Sequence, residues 1–231
     1  MSDLMSVIEV LQQVRVALID PEDRYWSNQD ILDGLNGGRR TLYSSKPRVY
    51  EVTETVTLVT GHRQTLPNDS TIMFRAIDNV SSHLKRGITP VKLESLTRVR
   101  PHWRTEGTTN EIIHVMYEET SPWEYEVYPP ALAGTQIRIS YAKRPLEITL
   151  ADLDAGTAVL LSKERQEADG LVDYTISQCL LKESDSTPEA GQRSAMYLQR
   201  AIAKFTGESS GRAKSNPNMT AVGGHAPKVN Q

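Results

Sequence analysis

Apolar positions along the chain change their spacing twice, from a helical period to strict alternation and back again. From about Leu4 to Leu18, the residues Ile8, Leu11, Val14 and Leu18 recur near helical spacing, and "DPED" ends the stretch. A second helix opens at "WSNQDI". There Ser27 is placed to cap, Asp30 stands at the third helical position as its reciprocal partner, and Trp26 can staple onto Ile31. Asp30 and Asp33 lie early and Arg39 and Arg40 late, the order a helix dipole favours. Gly34, Gly37 and Gly38 each weaken this helix by about 1 kcal/mol against Ala, so they predict close approach of another helix.

Alternation then takes over. "YEVTETVTLV" sets Tyr50, Val52, Val56 and Leu58 on one face and Glu51, Thr53, Thr55 and Thr57 on the other, which predicts a half-buried strand. Gly61 turns the chain toward "RQTLP". Three further strands read as Ile112 to Glu118, Trp123 to Tyr128 and Gln136 to Lys143. Trp123, Tyr125 and Val127 share a face in one, and Ile137, Ile139 and Tyr141 in the next. With "TSP" and "PPALAGT" as turns, these strands predict an antiparallel meander.

After "KRPLEITLADLDAGT" the helical period returns, with Ala168, Leu171, Val172, Thr175, Ile176, Cys179 and Leu180 on one stripe. "KESDSTPE" breaks it. Thr187 caps the last helix with Pro188 at its first position, Ala195, Leu198, Ile202 and Phe205 line its buried face, and Gly207 stops it. The predicted fold is α+β: a helical bundle from the N- and C-terminal helices with an inserted antiparallel β meander, spanning 1–48, 49–146 and 147–207. An extended C-terminal arm follows over 208–231, and no internal repeat is found.

That arm, "SSGRAKSNPNMTAVGGHAPKVNQ" from Ser209, is rich in Ser, Gly, Asn and Pro, and Met219, Val222 and Val229 follow no period. It cannot bury enough surface to offset its ordering entropy, so it is expected to order only against a partner. The whole chain stands at -3 and residues 209–231 at +3 from Arg212, Lys214 and Lys228, which leaves the body, residues 1–208, at -6. A basic tail on an acidic body favours an acidic docking surface or nucleic acid as its partner.

A chain of 231 residues buries an adequate core without disulfides or metal. Its one cysteine, Cys179, lies in an apolar helical pattern and reads as a buried structural thiol rather than a nucleophile, which suits a reducing compartment or indifference to redox. "MSDLMSVIEV" lacks a basic then apolar leader, and no run approaches the ~20 apolar residues of a membrane span, so no membrane partner is expected. The histidines His62, His83, His102, His114 and His225 show no zinc spacing, and His114, opposite Ile113 and Val115 on a strand, reads as an exposed or interface imidazole. Acidic clusters fall in turns and helix ends, where a solvated surface is the economical reading. No catalytic residue, metal or cofactor is predicted.

The stretch "KRGITPVKLESLTRVRPHWR" carries Lys85, Arg86, Lys92, Arg98, Arg100 and Arg104 beside His102 and Trp103, a set that could track phosphates and stack a base. Glu94 and Glu106 interrupt it, Leu93, Leu96 and Val99 suggest a short amphipathic helix, and Trp103 is more economically a core residue. A subunit or partner interface is therefore favoured over DNA binding.

Five segments in order carry a family resemblance: "LIDPEDRYWSNQDILDGLNGGRRTLY", "VTLVTGHRQTLPND", "VRPHWR", "YEVYPPALAGTQIRISYAKRP" and a helix ending "CLLKESD". The chain resembles the head-to-tail adaptor, or connector, proteins of tailed bacteriophages over about Leu18 to Phe205. The most specific pieces are Gly61, Arg63, Gln64, Leu66 and Pro67, and the run Tyr125 to Pro130, all structural punctuation. The resemblance implies a virion neck protein, made in the host cytoplasm, whose copies form a ring, commonly of twelve, under the portal. Its partners would be the portal ring, tail or nozzle proteins, other copies of itself, and genomic DNA passing without sequence specificity. The arm would dock on the portal through the cations Arg212, Lys214 and Lys228, with Asn216, Met219, Val222, His225 and Val229 between and around them. Two rivals are a DNA-binding module at residues 85–104 and a tail-associated hydrolase using acids of the turn clusters.

Overall fold

The computed structural model of the chain describes residues 5–117, 123–155, 161, 164, 167–183 and 187–207. It is mixed α+β, with six helices and two sheets among the described residues. Helix α1 (Val7–Leu18) starts at a reciprocal cap: the Ser6 N–H donates to Glu9 Oε2 at 2.7 Å, and the Glu9 N–H to Ser6 Oγ at 3.2 Å. That start sets the inward face as Val7, Val10, Leu11 and Val14. Ile8, expected inside, lies about one helical step around from this stripe and is 42% exposed.

The turn after α1 closes on Asp20, which is buried and accepts the backbone N–H groups of Arg24, Tyr25 and Trp26 at 2.8–3.1 Å. The expectation that "DPED" is merely solvated therefore fails for its first residue. Burial pushes this carboxyl up, but the three amides and Arg15 outweigh it and hold it below its ordinary value.

Helix α2 (Asn28–Ser45) opens on the predicted Ser27–Asp30 box, both backbone bonds at 3.2 Å, and Trp26 packs against the core that contains Ile31. It runs on to Ser45, so Arg39 and Arg40 lie in its middle rather than at a dipole end. They turn instead to Glu164 at 3.1 Å and Glu147 at 2.6 Å. The α2 glycines do admit a neighbour. A Cβ at Gly34 would lie 3.1 Å from Thr175 Cγ2, and one at Gly38 3.1 Å from Tyr174 and 3.2 Å from Leu171. Those partners belong to α5 (Ala168–Glu183), whose whole predicted stripe is buried.

Helix α6 (Pro188–Thr206) packs along α5 and ends at Gly207, φ +77°. Its buried face is Ala190, Ser194, Ala201 and Phe205, whereas Ala195 is exposed, Ile202 is 46% exposed and Leu198 half-buried. Thr187 occupies the cap position without a side-chain bond. Polar pins explain the rotation away from the apolar stripe. Ser194 Oγ donates to the Ser177 carbonyl at 2.8 Å, Lys204 reaches the buried Asp173 at 2.6 Å, and Phe205 fills the space left by Gly170.

The strands do not form a meander. One antiparallel sheet has the order β1 (Glu51–Thr57), β7 (Gln136–Lys143), β3 (Ser70–Asn79). The other runs β2 (Gly61–Thr65), β6 (Glu124–Ala131), β5 (His114–Tyr117), β4 (Thr89–Pro90), with β4 parallel to β5 and the remaining pairs antiparallel. Successive strands β6 and β7 thus enter different sheets. Ile137, Ile139 and Tyr141 of one sheet share a core with Val115, Tyr125 and Val127 of the other, which buries both apolar faces. Tyr50 lies in a 3-10 turn (Pro47–Tyr50) ahead of β1 rather than in the strand. Strand β3 escapes the alternation rule because its register against β7 shifts three times.

Both chain crossings between helices and sheets are held by α2. The outgoing chain continues from it through the 3-10 turn, and the Tyr43 hydroxyl donates to the Ala142 carbonyl at 3.2 Å. On the return, Asn36 bonds both backbone groups of Ile148 at 2.8 and 3.0 Å, and Arg39 donates to the Leu146 carbonyl at 2.7 Å. Then comes α4 (Leu150–Asp154), capped by Thr149 and Asp152.

Candidate functional site

Between β4 and β5 the chain leaves the sheet and covers its outer face with α3 (Leu93–Val99) and a 3-10 turn (Trp103–Thr105). Val115 and Val127 point into the sandwich, so Met116 and Tyr128 point the other way. There they meet Leu96 and Trp103, with Val91 and Leu93 packed alongside. Trp103 is fully buried and its indole N–H donates to Thr97 Oγ1 at 3.3 Å, so it is core and cannot stack on a base.

Asn79, at the end of β3, ties the connection leading into β4 to the returning root of this excursion. Its Nδ2 donates to the carbonyls of Arg86 at 2.9 Å and Ile112 at 2.8 Å, and its Oδ1 accepts the Ile112 N–H at 2.8 Å. The sequence gives little warning of it, since an Asn before a polar run reads as turn punctuation.

The six cations assigned to this surface fall in two places. Lys85 (φ +43°) and Arg86 lie in the connection between β3 and β4, where Arg86 pairs with Glu111 at 3.5 Å. Lys92, Arg98, Arg100 and Arg104 lie on the excursion. Arg100 sits 5.6 Å from the Tyr128 ring centroid and 3.4 Å from Glu106, which also accepts the Tyr128 hydroxyl at 3.1 Å. Arg104 sits 4.9 Å from the Trp103 ring and 3.3 Å from Glu126. Arg63 adds a pair with Glu124 at 3.6 Å. Burial and then Glu106 push the Tyr128 phenol up, so it stays a donor. Lys85, Lys92 and Arg98 are exposed and form no ion pair among the described residues.

This surface mixes paired arginines with three cations unpaired among the described residues over a small aromatic core, with a cleft lined by Val91, Leu96, Val99, Arg100, His114 and Tyr128. His114 is half-buried rather than exposed. Its ring stacks on Tyr128 at 6.0 Å and its Nδ1 is buried without a partner. With Arg100 and Arg104 engaged by carboxylates and Trp103 buried, such a surface suits a protein partner better than a nucleic acid that needs a stacking aromatic.

Buried carboxylates, the feature a hydrolase would need, do occur, but each is fixed by a cation or by amides. Glu164 meets Arg39 at 3.1 Å, Glu167 meets Lys46 at 2.5 Å, and Asp173 meets Lys204 and Arg200 at 2.6 and 3.7 Å. Burial pushes the Cys179 thiol up to about 11, the opposite of an activated nucleophile. Among the described residues no cluster of three His, Cys, Asp or Glu side chains could hold a metal ion, and no helix is long and apolar enough to cross a membrane. The arm at 208–231, with every docking position assigned to it, lies outside the described residues, as does the expected turn at "TSP".

Comparison with known proteins agrees with the order of segments read above. No curated protein matches the chain. The SU10 adaptor protein family model matches residues 5–221, nearly the whole chain and the first part of the arm. The chain therefore belongs to the SU10 adaptor protein family, a family of structural bacteriophage head-to-tail adaptors.

Proposed function

We propose that copies of this protein form a closed ring, of twelve, beneath the portal vertex, joining the filled head to the tail and continuing the DNA channel. The observation that carries this reading is the family match over residues 5–221, which takes in the helices, both sheets and part of the arm as one unit. In this reading the helical part made by residues 1–48 and 147–207 faces the portal, and the β-rich part 49–146 faces the tail or nozzle proteins. The excursion with Arg98, Arg100 and Arg104 contributes to a contact with a neighbour or tail protein, since Arg100 and Arg104 are paired with carboxylates while Arg98, unpaired among the described residues, is left free to meet an acid on a partner. The arm supplies portal contacts through Arg212, Lys214 and Lys228, and repetition around the ring multiplies a weak single arm into a durable joint. A body at -6 lets DNA slide through the lumen without being gripped.

The test is assembly on the isolated portal ring, followed by native mass measurement and imaging, with the full chain and with a chain ending at Gly207. The full chain should form a ring on the portal and the shortened one should remain unbound. A full chain that stays monomeric beside the portal overturns the reading.

A further inference from the structure

The two sheets have four edges among the described residues, and three are blunted. β4 is two residues long and ends in proline, β2 shifts register between Gly61 and Arg63, and β3 shifts three times. β1 differs. It holds unbroken register with β7 over seven residues without proline, glycine or lysine, and among the described residues no strand pairs with its other edge. The Leu58 N–H donates to the Thr135 carbonyl at 2.8 Å, which sets the phase of the ladder. Val52, Glu54 and Val56 turn their amides and carbonyls to β7, and Thr53, Thr55 and Thr57 turn theirs outward. The side chains of those threonines are exposed too. Such an edge is a template for one more strand.

Where the chain leaves the fold indicates the occupant. Phe205 lies against Gly170, and Lys204 donates to the Asp169 carbonyl at 3.2 Å, both at the start of α5. Glu167, just before α5, bonds Lys46 at 2.5 Å, and Lys46 follows α2 a few residues ahead of β1. The arm is therefore rooted at the level where β1 begins. It contains one stretch suited to strand pairing, Asn218 to Val222, uncharged, with β-branched Thr220 and Val222, set off by Pro217 before it and Gly223 and Gly224 after it. The linker from Gly207 to Asn218 reaches up to about 35 Å when extended.

We infer that residues 218–222 of one copy add as a strand to the β1 edge of the next copy. This rests on the ring reading above. Ring neighbours are related by rotation alone, so the arm root of one and β1 of the next lie at one height. Each copy then offers one donor strand and one acceptor edge, the head-to-tail pairing that closes a ring. The segment beyond Gly224, with Lys228 and Val229, stays available to the portal.

Cysteine pairing tests the contact. Full-length chains carrying Thr220→Cys together with Thr53→Cys, Thr55→Cys or Thr57→Cys are assembled on the portal ring, oxidised and run on a non-reducing denaturing gel. Cys179 is buried with its thiol pushed up to about 11, so it stays out of the reaction. A ladder of linked copies is expected in at least one register, and linked pairs when the two single variants of that register are mixed. Rings of normal mass without linkage in any register, or with linkage only inside one chain, overturn the inference and leave the ring reading standing. If the unmodified chain forms no ring on the portal, the ring reading falls and the inference with it.

Discussion

Replacing Asn79 by Ala removes the amide that ties the β3–β4 connection and the returning root of the excursion to the end of β3, at a site only 1% exposed. The Arg86 carbonyl keeps the Asn79 backbone N–H at 3.0 Å, but both backbone groups of the fully buried Ile112 lose their side-chain partner. At about 1–3 kcal/mol for each orphaned buried group, the loss comes to about 2–6 kcal/mol, a large share of the roughly 5–15 kcal/mol that holds a domain together. Urea unfolding with an unchanged m value should report that loss as a lower midpoint, and the Ile112 amide should exchange faster. Asn79→Asp is the sharper variant. Its carboxylate still accepts the Ile112 N–H but faces two carbonyl oxygens, which raises its folded pKa above the usual value of about 3.9. A raised folded pKa means the penalty is absent below the unfolded value and grows as pH rises through the folded one, so acidification should restore stability relative to wild type. A loss under about 1 kcal/mol for the Ala variant, or an Asp penalty that stays constant from about pH 4 to 7, would refute the reasoning.

The same logic reaches other elements. Phe205→Ala should cost about 3–5 kcal/mol in denaturant melts and Ile202→Ala less than about 0.5 kcal/mol; comparable losses would mean that α6 is rotated from the face described. Gly38→Ala gains roughly 1 kcal/mol of helix propensity yet sets a methyl 3.1 Å from Tyr174, so a net loss of thermal stability is expected and a gain would show that α5 yields easily. Asp20 has a folded pKa below its unfolded one, so its contribution is present above the ordinary value of 3.8 and is lost as pH falls through the folded value. Asp20→Asn should flatten the acid limb of a pH series of melts; an unaltered limb would place the acid sensitivity elsewhere.

Most helices were legible because their signals are local. Ser27 with Asp30, the small residues Gly34 and Gly38, and the stripe from Ala168 to Leu180 each state their role within one or two turns. The rotation of α6 was not legible, because it is set by partners far along the chain: Ser177 for Ser194, Asp173 for Lys204, Gly170 for Phe205. Sheet order was hidden for a similar reason. Alternation in β6 and β7 fixes which face is buried but not which strand lies alongside, and the bulges of β3 erased its period. Of the surface, the short helix at Leu93 and the buried Trp103 could be read from apolar spacing, whereas the pairing of Arg100 with Glu106 and Arg104 with Glu126 joins residues that only the fold brings together.

The clamps on α2 have a mechanical meaning. A chain that passes once between two parts can bend there, but here the outgoing and returning strands are fastened to the same helix, by Tyr43 at Ala142 and by Asn36 and Arg39 at Ile148 and Leu146. Among the described residues both crossings are thus pinned to one helix. Torsion applied to the sheets is therefore delivered through α2 to α5, across contacts in which glycines have already removed the give of longer side chains. In the ring proposed above each copy is a stiff spoke, and a neck assembled from such parts would take up pressure and tail flexing at the contacts between proteins rather than inside them.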